Sequence, residues 1–367
     1  MFNEIRQTRK RITKSGITLN NKEKRFDCIV LFAPMFGSGE VYAINSDGHI
    51  VHEWKLPWSP GLYGYLLPNG NLLYLGKTTK KSDVDFPFWE RFKGGIIAEI
   101  DKHSNVISKY EDIYHHHDAR KTLSGGLIYM TVEKVKNSLA QQVKGGVIPS
   151  DYSGTMWSDV LIELDENCNK IWEWHSTDYL NVDRHPITFN DPRDEWSHGN
   201  TVVPIDDDKV LVSFRNISTV ALIDKNSGKF IWEIGPDILA QQHDPSLLAN
   251  GNVLIYDNGV HRLDEPMPFS RIIEVNPSTK KIEWEYFDKP KFNFFSPYIS
   301  GVQKLPNNNI LVTEGNFGRI FQVDLHGEIV WEYISPYYEP DHEGVESNGI
   351  FRSSAYSTDF FGKHYEN

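Results

Sequence analysis

Residues 66–73 read Leu-Leu-Pro-Asn-Gly-Asn-Leu-Leu, and this stretch recurs along the chain. An Asn-Gly pair between two apolar runs supplies the positive φ angles that a tight β-hairpin needs. Residues 247–254 and 305–311 repeat the stretch, and residues 123–127 and 203–208 hold turn residues at the same place in two further copies. The sequence therefore predicts one type of β-hairpin that is used repeatedly.

A second hairpin alternates with the first. It ends in an apolar strand that carries Glu beside aromatic residues, as in Ile171-Trp172-Glu173-Trp174. Further copies lie at residues 50–54, 231–234, 282–286 and 330–333, and residues 106–110 form a degenerate copy. Each copy follows another strand and a turn of Asp, Asn, Ser or Gly, so each repeat contains two hairpins.

Two hairpins make a four-stranded unit, and a period of roughly 50–60 residues fits one blade of a β-propeller. We therefore predict an all-β, six-bladed β-propeller with four-stranded antiparallel blades at residues 25–367, after an N-terminal arm at residues 1–24. Unrelated hairpins in a sandwich would not keep the two patterns in alternation. Because an open sheet edge invites aggregation, an N-terminal strand at residues 28–32 is expected to close the ring by pairing with residues 350–356.

Composition limits the possible classes of function. The 367-residue chain has a formal net charge of −12, which disfavours binding to a phosphate backbone. The basic run at residues 6–14 is short, and we interpret it as a solvated arm or first strand. The sequence shows no secretory leader or membrane span, and two cysteines do not make a disulfide framework. We expect a soluble, single-domain, cytoplasmic protein without nucleic acid or membrane partners.

Three segments are longer than a blade requires, at residues 133–157, 178–196 and 289–297. Long loops in compact folds are usually functional or disordered. Their Trp, Phe and Tyr content favours ordered loops that cap one face of the propeller.

Three histidines occupy the same position in successive repeats. His117, His198 and His243 each lie at the start of a repeat's first strand, at the same distance before the hairpin turn. Two other repeats have Leu62 and Ser300 at this position. Because the first strands of the blades surround the channel of a propeller, the three imidazoles are expected to converge near its axis.

Polar residues end the second strand of these hairpins, beside the start of the first. Arg215 is the only cation at such a position next to a histidine, His198. Candidate substrate-binding residues at the strand ends are Arg215, Asn216, Asn258 and Glu314. A single histidine at such a position is more often structural, but three equivalent histidines and an arginine indicate a functional site.

Three imidazoles and a guanidinium are side chains that can bind an anion. Arg offers a fork of donors that matches sulfate, phosphate or carboxylate oxygens. A neutral His can act as a nucleophile while another moves a proton. The sequence contains no Gly-rich phosphate loop, so we expect neither a nucleotide donor nor another cofactor.

The Leu-Pro-Asn-Gly-Asn hairpin, the pair His243-Asp244 with Asp257-Asn258-Gly259 after it, and the Trp-Glu strands resemble the arylsulfotransferase family. The resemblance covers nearly the whole chain, in a short, leaderless form. It implies ping-pong transfer of a sulfuryl group from an aryl sulfate to a phenol, without a nucleotide donor. His243 would be the covalent nucleophile, His117 and His198 the supporting catalytic histidines, and Arg215 the sulfate-binding residue. A homodimer is compatible with the resemblance.

Two other functions fit the same residues. Three converging histidines could hold Mn²⁺ or Zn²⁺ in a metal-dependent lyase or hydrolase, with Arg215 binding an anionic substrate. A non-catalytic propeller that binds partners on a loop face is the second alternative. Metal analysis of the purified protein would test the first, and His243→Ala would test the second. Under the sulfuryl-transfer interpretation, no metal is expected.

Overall fold

The computed structural model describes residues 14–79, 85–86, 94–150 and 152–365. The chain is a six-bladed β-propeller of four-stranded antiparallel blades, as predicted. The basic run at residues 6–14 lies outside the described residues except for Lys14. None of the described helices has the length and hydropathy needed to cross a bilayer.

The described N-terminal part of the chain contains eight strands. In chain order the strands are β1 (Gly16–Asn20), β2 (Cys28–Pro34), β3 (Glu40–Ile44), β4 (Ile50–Lys55), β5 (Pro60–Leu66), β6 (Leu72–Lys77), β7 (Gly95–Ile100) and β8 (Val106–Glu111). Strands β5 to β8 form one blade in sequence order.

The third blade carries the longest insertions. Its part of the chain contains β9 (His116–Lys121), β10 (Leu127–Lys134), α1 (Asn137–Ala140), β11 (Gly145–Val147), β12 (Trp157–Leu164), β13 (Lys170–His175), α2 (Ser176–Tyr179) and β14 (Ile187–Pro192). The blade has the order β13-β12-β10-β9, and β11 and β14 form a separate parallel pair. The described residues of two long predicted loops are therefore ordered.

Two regular blades follow. They consist of β15 (Gly199–Pro204), β16 (Lys209–Phe214), β17 (Thr219–Asp224) and β18 (Phe230–Ile234), and then β19 (His243–Leu247), β20 (Val253–Asp257), β21 (Arg271–Asn276) and β22 (Lys281–Tyr286). A 3₁₀ turn at Lys291–Asn293 lies in the third long segment.

The last part of the chain contains β23 (Gly301–Lys304), β24 (Ile310–Glu314), β25 (Arg319–Val323), β26 (Ile329–Ile334), β27 (Glu339–Pro340), β28 (Glu346–Ser347), β29 (Ile350–Ser357) and α3 (Thr358–Tyr365), with a 3₁₀ turn at Gly315–Phe317. Strand β29 completes the blade of order β29-β2-β3-β4. Its pairing runs from Cys28 opposite Ser357 to Pro34 opposite Ile350, which confirms the predicted pairing of the two chain ends.

The chain divides into two compact units. The described residues of unit 1 lie within 14–74, 99–107 and 299–365, and those of unit 2 within 75–98 and 108–298. In unit 1, β1 adds a fifth strand to β26, and Trp331 and Phe32 belong to the buried core. In unit 2, a core around Trp174, Trp196 and Phe214 packs the third and fourth blades together.

The structure explains the recurring Trp-Glu strand. Its outward side chains alternate with a buried indole, so that Ile171 is exposed while Trp174 is buried. The indole N–H of Trp174 donates to the carbonyl of Gly228 at 2.8 Å, in a turn of the following repeat. Trp331 donates to Ser46 at 2.7 Å in the same way. In these two repeats the tryptophan therefore links one blade to the next, because a buried indole needs an acceptor.

Candidate active site

The three predicted histidines lie within one residue of the start of β9, β15 and β19, the first strands of three blades in unit 2. His117 and His198 have φ angles of +53° and +51°, and the strand pairing shifts register near both residues. Left-handed backbone at a residue other than glycine is uncommon, and bulges of this kind redirect side chains near functional sites. Asp244, next to His243, has a φ of +50°.

The histidine rings lie close together and are buried. The ring centroids of His117 and His198 are 4.9 Å apart, with an angle of 70° between the planes. The pKa of His117 is well below its usual value, because burial disfavours its charged form and because His198, His116 and His243 lie near it. The structure therefore brings the three predicted histidines together.

His116 forms a buried ion pair that was missed in the sequence. Its Nε2 lies 3.1 Å from Oδ1 of Asp159 on β12. Burial lowers the pKa of His116, but the Asp159 carboxylate outweighs this effect and the pKa is raised. Burial raises the pKa of Asp159, but His116, Ser197 and the Gly199 N–H outweigh it and the pKa is lowered. Both shifts favour the charged form of the pair.

This ion pair determines the protonation of His117. The Nδ1 atoms of His116 and His117 are 2.7 Å apart, and only one of them can carry the shared proton. Because the charged His116 donates, the neutral His117 accepts at Nδ1 and carries its own proton on Nε2. His117 thus presents an N–H donor on its far side.

His198 is supported by a buried carboxylate. Its Nδ1 lies 2.6 Å from Oε2 of Glu195. A parallel bridge with Trp157 holds the Glu195 backbone, and the side-chain amide of Asn216 donates to the Glu195 carbonyl at 3.0 Å. A histidine with a carboxylate behind it can accept and release a proton at Nε2. Asn216 acts on this pair through the backbone of Glu195.

His243 has a neutral partner instead. Its Nδ1 lies 2.8 Å from Oδ1 of Asn258, and Nδ2 of Asn258 donates to the Ser296 carbonyl at 2.8 Å. The second bond fixes the amide so that its oxygen faces His243. The imidazole must therefore donate from Nδ1, which leaves the lone pair on Nε2.

Arg215 lies opposite His198, as the strand pattern predicted. Its backbone N–H donates to the His198 carbonyl at 2.9 Å. Its Nη1 lies 3.3 Å from Oδ1 of Asp191 and 3.3 Å from the side-chain oxygen of Asn216. Its Nε is buried and has no hydrogen-bond partner among the described residues.

Glu314 lies in unit 1, whereas the other candidate residues lie in unit 2. It is buried and accepts a bond from Nη1 of Arg319 at 2.9 Å. Burial lowers the pKa of Arg319, but Glu314 and Glu332 outweigh this and raise it. Glu314 therefore forms an ion pair with Arg319.

Within residues 14–79, 85–86, 94–150 and 152–365, no group of three His, Cys, Asp or Glu side chains has the arrangement of a metal site. The Nδ1 atoms of His117, His198 and His243 are each bonded to another side chain.

Comparisons with known proteins concern both family and fold. A family model described as arylsulfotransferase (ASST) matches residues 94–336, which are 243 of the 367 residues. No curated protein sequence matches the chain. A crystal structure of a protein of unknown function from Bacteroides caccae is 11% identical with a TM-score of 0.54, covering 90% of this chain and 99% of its own. This likeness shows the propeller fold alone.

Two lyase structures are also similar. A streptogramin B lyase is 13% identical with a TM-score of 0.49, and the match covers 93% of this chain and 92% of the lyase. A virginiamycin B lyase from Staphylococcus aureus is 12% identical with a TM-score of 0.41, over 75% of this chain and 69% of the lyase. At this level of similarity, neither lyase informs the function of the histidines.

Proposed function

The chain belongs to the arylsulfotransferase family, and we propose that it moves a sulfuryl group from an aryl sulfate to a phenol through a sulfohistidine at His243. The observation that carries this proposal is the Nδ1 bond of His243 to Asn258, since it leaves a lone pair on Nε2 for attack. His117 and His198 have different partners at Nδ1, namely His116 and Glu195, so the three histidines take different roles.

In the first step, Nε2 of His243 attacks the sulfur of the aryl sulfate. The bond between sulfur and the phenolic oxygen breaks, and its electron pair leaves with the oxygen. His198, with Glu195 behind it, gives a proton to that oxygen. In the second step, a phenol returns a proton to His198 and attacks the sulfur, and the N–S electron pair returns to His243.

The negative charge on the sulfuryl oxygens needs donors. Nε2–H of His117 and the buried Nε–H of Arg215 are the donors that we assign to this role. Donors that are fixed before the reaction stabilise developing charge without reorganisation. The low pKa of His117 keeps this ring neutral, so its donor stays in place across the working pH range.

An aromatic surface near Arg215 would take the aryl ring. Phe189 is 48% exposed, and its ring lies 5.3 Å from that of His261, which in turn neighbours Asp191. Partly exposed aromatic rings bind planar aryl groups by stacking. Aryl sulfate and phenol are thus the proposed partners, whereas the cytoplasmic location, the absence of nucleic acid and membrane partners, and a homodimer stay predictions.

The test is incubation with 4-nitrophenyl sulfate and phenol. We expect the natural protein to release 4-nitrophenol and form phenyl sulfate, and His243→Asn to do neither. His326→Asn, which changes an exposed turn histidine, serves as the matched control and should keep full activity. Transfer by His243→Asn, or no transfer by the natural protein, would overturn the proposal.

A further inference from the structure

Asp191, on β14 of the inserted segment, connects three parts of unit 2. Its Oδ1 lies 3.3 Å from Nη1 of Arg215 and 3.7 Å from Nε2 of His261. Its Oδ2 accepts a bond from the side-chain amide of Gln241. The side chain is buried, so the carboxylate cannot leave Arg215 for solvent without breaking these contacts.

The strand that carries Asp191 is fixed to the blade. The backbone N–H and the hydroxyl of Thr188 both donate to the Asn216 carbonyl, at 2.8 and 2.7 Å. Asn216 follows Arg215 in the chain. The inserted segment therefore holds a negative charge beside the arginine as part of the folded structure.

The ion pair between Asp191 and Arg215 is longer than a strong ion pair of this type. Strong charge-assisted bonds between guanidinium and carboxylate are roughly 2.7–2.9 Å long and often use two nitrogens. Here a single nitrogen is used at 3.3 Å, and Nε of Arg215 has no hydrogen-bond partner among the described residues. Nε–H of Arg215 can therefore donate to an anion, but that anion binds close to the negative charge of Asp191.

We propose that Asp191 makes this site select singly charged sulfate esters over doubly charged anions such as free sulfate. The inference rests on the proposed function in that Arg215 receives the sulfuryl oxygens. Asp191 repels a bound anion in proportion to the anion's charge, so a dianion loses twice the free energy that a monoanion loses. Free sulfate would otherwise occupy Arg215 and inhibit the reaction.

Asp191→Asn removes the negative charge of the side chain and keeps its shape. The asparagine oxygen can still accept from Arg215, while its new N–H₂ faces Gln241. The side-chain oxygen of Gln241 has no hydrogen-bond partner among the described residues, so a turn of that amide provides an acceptor. Asp191→Ser removes the same charge with a smaller side chain. Asp183→Asn, in an exposed pair with Lys144, is the matched control for net charge.

The experiment measures the Kd of inorganic sulfate and of benzenesulfonate by calorimetry, with no turnover. If Asp191→Asn lowers the Kd of benzenesulfonate about threefold, the doubled charge of sulfate predicts that its Kd falls about tenfold. Asp183→Asn should change neither Kd. Because binding is read directly, a failure of His243 chemistry would leave this result intact. The proposal would be overturned if the Kd of the two anions fell equally, if the Kd of sulfate did not fall, or if both Asp191 variants unfolded.

Discussion

The Nδ1 atom of His243 lies 2.8 Å from the side-chain oxygen of Asn258, which the Ser296 carbonyl holds in one orientation through the amide nitrogen. A neutral amide fixes the tautomer of the imidazole without adding charge. His198, by contrast, has the carboxylate of Glu195 at the same nitrogen. The two histidines are equivalent in the repeat, and their different partners suit one to nucleophilic attack and the other to proton transfer.

Asn258→Ala should slow sulfuryl transfer by about tenfold, since loss of one such hydrogen bond costs roughly 1–1.5 kcal/mol. The Nδ1 proton would then be free to move to Nε2 and block the lone pair. The measurement is kcat with 4-nitrophenyl sulfate and saturating phenol. Asn226→Ala, at an exposed turn, is the control. Full activity in Asn258→Ala would contradict the assigned tautomer.

Glu195→Gln should affect poor leaving groups more than good ones. A weakly basic phenolate leaves without help, whereas a strongly basic one needs the proton from His198. We expect a small loss of rate with 4-nitrophenyl sulfate and a loss about tenfold larger with phenyl sulfate. Glu343→Gln, on the surface, should lower neither rate. Equal losses of rate with 4-nitrophenyl sulfate and phenyl sulfate would mean that His198 does not act as the general acid.

Gly199→Ala should destabilise the protein by about 1–3 kcal/mol, because overpacking a buried site forces neighbouring atoms to move. A Cβ at this position would lie 2.1 Å from Cε of Met130 and 2.7 Å from Oδ1 of Asp159. The Asp159 carboxylate would shift, and with it the ion pair to His116. Urea denaturation measures the loss. Gly235→Ala, whose Cβ would lie at an ordinary van der Waals distance from its neighbour, should leave the free energy of unfolding nearly unchanged.

The ion pair of His116 with Asp159 should make stability depend on pH. The raised pKa of His116 adds stability that is complete below about pH 6.5 and is lost as the pH rises through its folded-state value. The lowered pKa of Asp159 adds stability that is present above about pH 3.9 and is lost as the pH falls through its folded-state value. The pair therefore contributes most between these two limits.

Asp159→Asn should accordingly lose more stability at pH 5.5 than at pH 8.5, with a loss of about 3–5 kcal/mol at the lower pH because a buried charge is left unpaired. Denaturation of both proteins at the two pH values gives the difference. Asp183→Asn controls for the change in net charge. An equal loss at both pH values would mean that His116 is neutral.

Much of this site could be predicted from the repeat. Residues at the same distance from a hairpin turn reach the same place in each blade, because the ladder of hydrogen bonds fixes the register. The shared register places His117, His198 and His243 together, with Arg215 and Asn258 beside two of them. The pairing of residues near 28 with residues near 357 was predicted from the need to remove an open edge.

The partners behind the histidines could not be predicted in this way. Glu195 and Asp191 lie in an inserted segment that has no counterpart in the other repeats, so no register applies to them. Asp159 lies 43 positions after His116, on a different strand, and only the packed structure shows that they meet. Residues 16–20, within the predicted arm, pair with β26 and lack any repeat signature.

The most direct test is mass spectrometry of the protein after exposure to 4-nitrophenyl sulfate without an acceptor. We predict one added SO₃ group per chain, on the peptide that contains His243, and its loss when phenol is added. His243→Asn should take up no label. An SO₃ group on another residue, or phenyl sulfate formed with no labelled intermediate, would contradict the account.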